Sequence, residues 1–376
     1  MLTQFDDYPI HQTPEPVAHP GTGDRNFYDR YFFHGYTHEA DLFFAVALGL
    51  YPNRRVMDAA VSVVRGGVQR TVRASRLAPL ERAETRVGPI AVDVVEPLRR
   101  HQVRIEPNAF GISGELRFTA RTQPIEEPRF TRQLEGRVIM DSTRLTQFGA
   151  WQGSLELDGE RIALEPARVL GARDRSWGVR TVGERETGAP GPVPQFFWLW
   201  APIHFDDVCA HFDVNEDGDG RPWHSFGTLV PATAPGSDAV PASGSGVELM
   251  SRVAHRVRWQ PGTRRAAGAE IGFQRQGGEK ITIALEPLLH FQMLGIGYLH
   301  PEWSHGMWKG ENVVDGERWT LADLSPMAPQ HLHVQALCRA RMRDGARERV
   351  GLGVLEQLVI GPHAPSGFAG LLDPAK

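Results

Sequence analysis

The chain has 376 residues, 41% of them hydrophobic, and a formal net charge of −4 at neutral pH. That is enough chain for two domains with real cores, while the slightly acidic balance, the scattered arginines and the lack of any apolar run near ~20 residues exclude a nucleic-acid footprint and a membrane-spanning helix. Cys209 and Cys338 are the only cysteines, too few for a disulfide framework or a zinc knuckle, and with no apolar leader in the first ten residues a cytoplasmic protein is expected.

Forty glycines and twenty-eight prolines punctuate short apolar segments rich in Val, Ile, Phe and Trp, which predicts an all-β protein with few helices. Residues 41–51 read as a strand closed by Pro52. Residues 59–72 read as a hairpin turning at Gly66-Gly67. Residues 149–164 resemble residues 306–321: Gly149, Trp151, Gly153, the block 158–161 and Leu164 recur at Gly306, Trp308, Gly310, 315–318 and Leu321. This offset is too long for a solenoid, so it predicts duplication of a whole domain. The Asp158-Gly159 pair suits a type I′ turn, and its copy at Asp315-Gly316 is expected to turn in the same way.

The Gly- and Pro-rich stretch 184–194 predicts a linker, dividing the chain into domains 1–188 and 189–376. Residues 196–207 follow a period of two. Phe196, Trp198, Trp200 and His204 fall on one side, opposite Phe197, Leu199, Ala201, Ile203 and Phe205, so one side is core and the other is a cavity wall or a second buried layer. The acidic stretch 213–219 begins like a calcium loop but has His224 where a bidentate glutamate is required, and reads as a hairpin tip. Residues 231–246 read as a surface loop. Continued alternation over 288–300 places His290, Gln292, Tyr298 and His300 on a polar-aromatic wall.

Two strings carry candidate chemistry. In Arg173-Asp174-Arg175-Ser176-Trp177-Gly178, the aspartate is either a general acid beside an indole or part of an ion-pair cluster, and alternation puts Asp174 and Trp177 on opposite faces. In His300-Pro301-Glu302-Trp303-Ser304-His305, the histidines suit proton transfer or hydrogen bonding. A metal reading needs a further ligand such as His204 or Asp174, because the spacing is not that of a helical zinc motif. No phosphate-binding loop, dinucleotide fingerprint or nucleophile elbow is present, and no cofactor is expected.

These two strings, together with Phe197-Trp198-Leu199-Trp200, resemble AttH-like proteins and the related hydroxyneurosporene synthase, a carotenoid 1,2-hydratase. The resemblance implies two lipocalin-like antiparallel β-barrels related by duplication, holding a bulky hydrophobic ligand in or between them. It implies cofactor-independent, acid-assisted hydration, isomerisation or cyclisation of an isoprenoid, steroid or polyketide. Asp174 is then the expected acid, and His300, Glu302 and His305 are expected to relay protons or orient water. Trp177, Trp198, Trp200, His204, Tyr298 and Trp303 are expected to contact substrate. The alternatives are a non-catalytic carrier of the same ligand class and a metal-dependent hydrolase or lyase using His300, Glu302 and His305.

Overall fold

The computed structural model describes residues 1–184, 193–239, 244 and 246–376. Its first half supplies β1 (Phe27–Thr37), β2 (Leu42–Tyr51), β3 (Val56–Arg65), β4 (Val68–Leu77), β5 (Arg86–Val87), β6 (Ile90–Glu96), β7 (Arg100–Ile105), β8 (Ile112–Ala120), β9 (Ile125–Glu126), β10 (Phe130–Leu134), β11 (Arg137–Leu157), β12 (Glu160–Leu164) and β13 (Val169–Arg180). The second half supplies β14 (Phe196–His204), β15 (Val208–Glu216), β16 (Pro222–Pro231), β17 (Glu248–Leu249), β18 (Arg252–Trp259), β19 (Ala266–Gln274), β20 (Lys280–Gln292), β21 (Asn312–Thr320), β22 (Val334–Asp344) and β23 (Arg347–Ile360). Helical structure among the described residues is confined to 3₁₀ turns of three or four residues, and no helix is long and apolar enough to cross a membrane.

Every strand pair is antiparallel, and the strands form two sheets. One runs β21-β4-β3-β2-β1-β13-β11-β8-β7-β6-β5 and curls into a nearly closed barrel; the other runs β17-β16-β15-β14-β23-β22-β20-β19-β18 and forms a half-barrel. The path β3-β2-β1-β13-β11-β8-β7-β6 has the same order of meander and first-to-last closure as β16-β15-β14-β23-β22-β20-β19-β18. The correspondence reaches individual residues. A Cβ on Gly171 would stand 2.0 Å from the His34 carbonyl, and one on Gly351 would stand 2.0 Å from the His204 carbonyl, so the first and last strands cross equally closely in both sheets.

Three apolar layers follow from the alternation. Phe33, Phe44, Val46, Phe118 and Trp151 belong to the core of the first barrel, and Phe197, Leu199, Ala201, Phe212 and Ile283 to that of the second. A third cluster draws Phe32, Phe43, Ala45 and Ala47 from one sheet and Trp198, Trp200, Phe291 and Val354 from the other, so the two barrels pack through their outer faces. This explains why β2 is apolar at almost every position: all ten of its residues are buried, one face in the barrel and the other against the second sheet. By contrast, β18 alternates between exposed and partly buried residues along its whole length.

Two expectations fail on the second repeat copy and beside it. Asp158 and Gly159 do turn, both with positive φ, but Asp315 and Gly316 lie in the middle of β21, paired with Arg73 and Val72 of β4. Nine backbone register pairs along β4 override the local turn preference of Asp-Gly. Trp151 is fully buried whereas Trp308 is 46% exposed, so the matched stretches are not equivalent elements, and the likeness between the halves rests on strand order. The alternation read over 288–300 also stops: β20 ends at Gln292 and a 3₁₀ turn, Met293–Ile296, follows. The chain then crosses the outer face of β3 and β4 before adding β21 to the first sheet, and Tyr298 and His300 sit on that strap. The 188/189 boundary lies outside the described residues.

Candidate active site between the barrels

Asp174 projects from β13 onto the face that meets the second sheet, with Phe32 of β1 and Thr146 of β11 opposite it on either side. Two residues along, Ser176 stands between Arg30 and Arg144, and beyond it Gly178 keeps the floor low. Gly178 has φ +132°, and a Cβ there would stand 2.3 Å from the Asp141 carbonyl, so no other residue fits without moving the backbone. Asp174, Ser176 and Gly178 thus form a row on β13, a trough in side-chain size, with Arg30 of β1 and Arg144 of β11 on either side of Ser176.

The flanking arginines of the sequence string turn the other way. Arg175 pairs with Asp29 and lies over the Tyr31 ring at 4.4 Å, while Arg173 donates to Gln147 at 2.9 Å. Trp177 shares their face and is 39% exposed, outside the trough. Asp174 forms no hydrogen bond or ion pair with the described residues, yet protein surrounds it and leaves only part of its surface accessible. Burial raises its pKa, the Arg144 and Arg30 charges pull it back, and Glu356 raises it again; the outcome lies above the ordinary aspartate value.

Glu356 of β23 behaves in the opposite sense. Its Oε1 accepts from His333 Nε2 at 2.6 Å and from the Trp198 indole at 3.3 Å, and its Oε2 accepts from Gln335 at 2.7 Å. Burial opposes ionisation, but these donors and the Arg144 charge hold Glu356 below its ordinary value. Two neighbouring carboxyl groups are thus driven apart, one toward the acid and the other toward the carboxylate.

Arg144 ties this pair to the aromatic wall. Its guanidinium lies 4.7 Å from the Phe130 ring centroid, 4.8 Å from Trp198 and 5.7 Å from Trp200. It also bridges Glu127 and Asp213, the latter at 2.9 Å. His224 lies 2.7 Å from Asp213, and His211 is 3.4 Å from Glu127. Burial works against Asp213, but the bonds with His211 and His224 and the Arg144 charge hold it well below its ordinary value, whereas burial raises Glu127. Glu127, His211 and Asp213 are also the one group among the described residues spaced to suit a metal ion. Arg144, spanning both carboxylates, already supplies the cation there.

On the other side of the trough, Tyr298 accepts from Arg30 at 2.9 Å and from Arg180 at 3.4 Å, and its ring meets His333 edge-on at 4.5 Å. His305 Nε2 lies 2.8 Å from the Ile296 carbonyl, which fixes the proton on Nε2 and leaves Nδ1 to accept from Arg180 at 3.5 Å. Burial, then Arg30 and Arg180, push His305 well below its ordinary pKa, so it is a neutral spacer between the arginines.

The residues expected from the sequence therefore separate. Asp174, Trp198, Trp200, Tyr298 and His305 gather where β13 faces the second sheet and the strap. His300 leans on Glu317 at 3.2 Å beside Arg73, Trp303 lies under Arg73 at 5.4 Å, and Glu302 is exposed, giving His300 a cluster of its own on the strap. His204 is buried between the barrels with both ring nitrogens engaged, one by Arg121 at 3.0 Å and the other by the Gly171 carbonyl at 3.0 Å. The ligand set of the metal reading, His300, Glu302 and His305, does not converge: His300 faces Glu317, Glu302 faces solvent, and His305 is spent on Ile296 and the arginines. Sequence reasoning missed Arg30, Arg144, Arg180 and Glu356. Only Arg180 had a local signal, three period-two steps from Asp174.

No curated protein matches the chain. Among solved structures it is similar to a protein of Nitrosomonas europaea described as an AttH, at 13% identity over 93% of this chain and 98% of that one, with a TM-score of 0.51. It is similar to CghA solved with Sch210972, at 12% identity over 89% of each chain and a TM-score of 0.50. Kievitone hydratase of Nectria haematococca aligns at 12% identity over 88% of each chain, with a TM-score of 0.49. The resemblance to AttH-like proteins thus holds at the level of the fold, two lipocalin-like barrels. A model of a family of unknown function, DUF8625, matches residues 2–369, and the chain belongs to that family.

Proposed function

We propose that this protein is an enzyme that takes a bulky hydrophobic substrate, of isoprenoid, steroid or polyketide type, into the crevice between its barrels and performs acid-assisted hydration, isomerisation or cyclisation there. The observation that carries the reading is Asp174: partly buried, without an ion pair among the described residues, raised above its ordinary pKa, and within the electrostatic influence of a second carboxylate held ionised. In its acid form Asp174 protonates an alkene carbon, and the indoles of Trp198 and Trp200 stabilise the carbocation through their π faces. In a hydration, water oxygen bonds to the cationic carbon and its surplus proton passes to the Asp174 carboxylate, with Glu356 accepting a hydrogen bond from the incoming water. In an isomerisation or cyclisation the proton is lost from carbon instead, and Asp174 again recovers it. CghA, which this chain resembles in fold, was solved with Sch210972, which is in keeping with the reading.

A carrier of the same ligand class remains the second reading, because lipocalin-like barrels enclose small molecules. An apolar cup needs no such pair of carboxyls, and the unequal pair favours catalysis. Incubating the protein with lipid extracts and following the bound molecules by mass spectrometry separates the two. An enzyme returns a product of equal mass with a new retention time, or one heavier by a water, and Asp174→Asn should lower turnover by roughly 10²–10⁴-fold while leaving binding intact. If Asp174→Asn turns over an identified substrate at the wild-type rate, Asp174 is not the acid.

A further inference from the structure

Resting on this crevice reading, we infer that the ligand carries an acidic oxygen group, a carboxylate or enolate, received by Arg30 and Arg180 beside Tyr298. Arg30 is only 2% exposed, and neither it nor Arg180 forms an ion pair with a carboxylate among the described residues. Each guanidinium carries five N–H donors. The acceptors they find are the Tyr298 phenol oxygen, which takes a bond from each arginine, and His305 Nδ1, which lies 3.5 Å from Arg180; the His305 Nε2 that lies 3.1 Å from Arg30 already holds a proton for Ile296. The Nε atoms of Arg30 and Arg180 are buried without a partner.

A buried guanidinium left short of acceptors is costly, and two neighbouring ones repel each other. Asp58, whose pKa both arginines lower, spends its oxygens on the Gly306 N–H at 2.7 Å and the Tyr51 hydroxyl at 3.2 Å. The oxygens of Glu356 are turned to His333, Gln335 and Trp198 and form no ion pair with either arginine. The contrast with Arg144 is informative, because that guanidinium, in the same trough, is neutralised by Glu127 and Asp213. A planar acid oxygen pair suits the paired forks of Arg30 and Arg180. Its hydrocarbon tail would then run along Ser176 and Gly178 toward Asp174, with the indoles as the facing wall.

Two probes that share one isoprenoid chain and differ only in the head group, all-trans-retinoic acid and all-trans-retinol, test this by quenching of tryptophan fluorescence. The acid should bind at least tenfold more tightly than the alcohol. Arg180→Gln and Arg30→Met should each erase that preference while leaving the alcohol's affinity within twofold. Arg30→Met should melt no lower than wild type, since it removes a buried charge that has no carboxylate counter-charge among the described residues. Equal affinities for acid and alcohol would overturn the inference and leave the crevice reading standing. Failure of both probes to bind would overturn both. A preference that survives the two substitutions, or a marked loss of stability in Arg30→Met, would show that these arginines serve the fold and not an acid.

Discussion

Asp174 and Glu356 illustrate how two carboxyl groups in one crevice acquire different chemistry from their donors alone. Glu356 has three hydrogen-bond donors within 3.3 Å, and Asp174 has none among the described residues. Another carboxyl, the partly buried Asp58, offers a cleaner test of the electrostatics because it lies under the strap. Burial raises it to about 6, against the pull of Gly306, Arg30, Tyr51 and Arg180. Its folded-state pKa exceeds its unfolded value, so the stabilisation it gives as the neutral acid is complete below about pH 4 and is lost as pH rises through 6, a change of roughly 3 kcal/mol. Asp58→Asn should therefore gain on wild type in urea midpoint between pH 4 and pH 7; a constant gap across that range would contradict the assignment. At this scale the sequence showed Asp174, Trp198 and Trp200 by motif and alternation, and Arg180 lies on the Asp174 face by the same rule. Arg30, Arg144 and Glu356 were not legible, since only the pairing of distant strands brings them to the trough.

Among the elements, β13 does most to shape the site. Its alternation sends Arg173, Arg175 and Trp177 to one face and Asp174, Ser176 and Arg180 to the other, which removes the flanking arginines from direct competition for the aspartate. Gly178 is the point where the strand tolerates no side chain. Gly178→Ala should destabilise by about 2 kcal/mol, through its positive φ and the clash with Asp141. A thermal melt equal to wild type would show that the strand relaxes freely there. The hairpin at Asp158-Gly159 and the two faces of β14 were readable because local preference and tertiary demand agree. The copy at Asp315-Gly316 was misread because β4 needs an edge partner more than Asp-Gly needs to turn, and residues 293–300 because a 3₁₀ turn interrupts the period.

Across the whole molecule, the repeated strand order makes two barrels, and the inter-barrel layer of Phe32, Phe43, Trp198, Trp200 and Phe291 makes them interdependent. The second half also lends β21 to the first sheet. We propose residues 188/189 as a boundary in the chain but not in folding. Residues 1–188 expressed alone should aggregate, with the β4 edge and the outer faces of β1 and β2 uncovered, and co-expression with residues 189–376 should restore soluble protein. A soluble, cooperatively melting 1–188 fragment would contradict this.

The central claim, that the inter-barrel crevice keeps Asp174 as a proton donor, can be tested before any substrate is known. Infrared difference spectra of wild type against Asp174→Asn, taken across a pH series, isolate the carboxyl stretch of this one residue. The account predicts a protonated-carboxyl band, absent from the variant, that persists above the ordinary aspartate value of 3.8 and titrates away at higher pH. A band that disappears at or below that value would mean that Asp174 stands ionised among the arginines, and the proposed acid would have to be sought elsewhere.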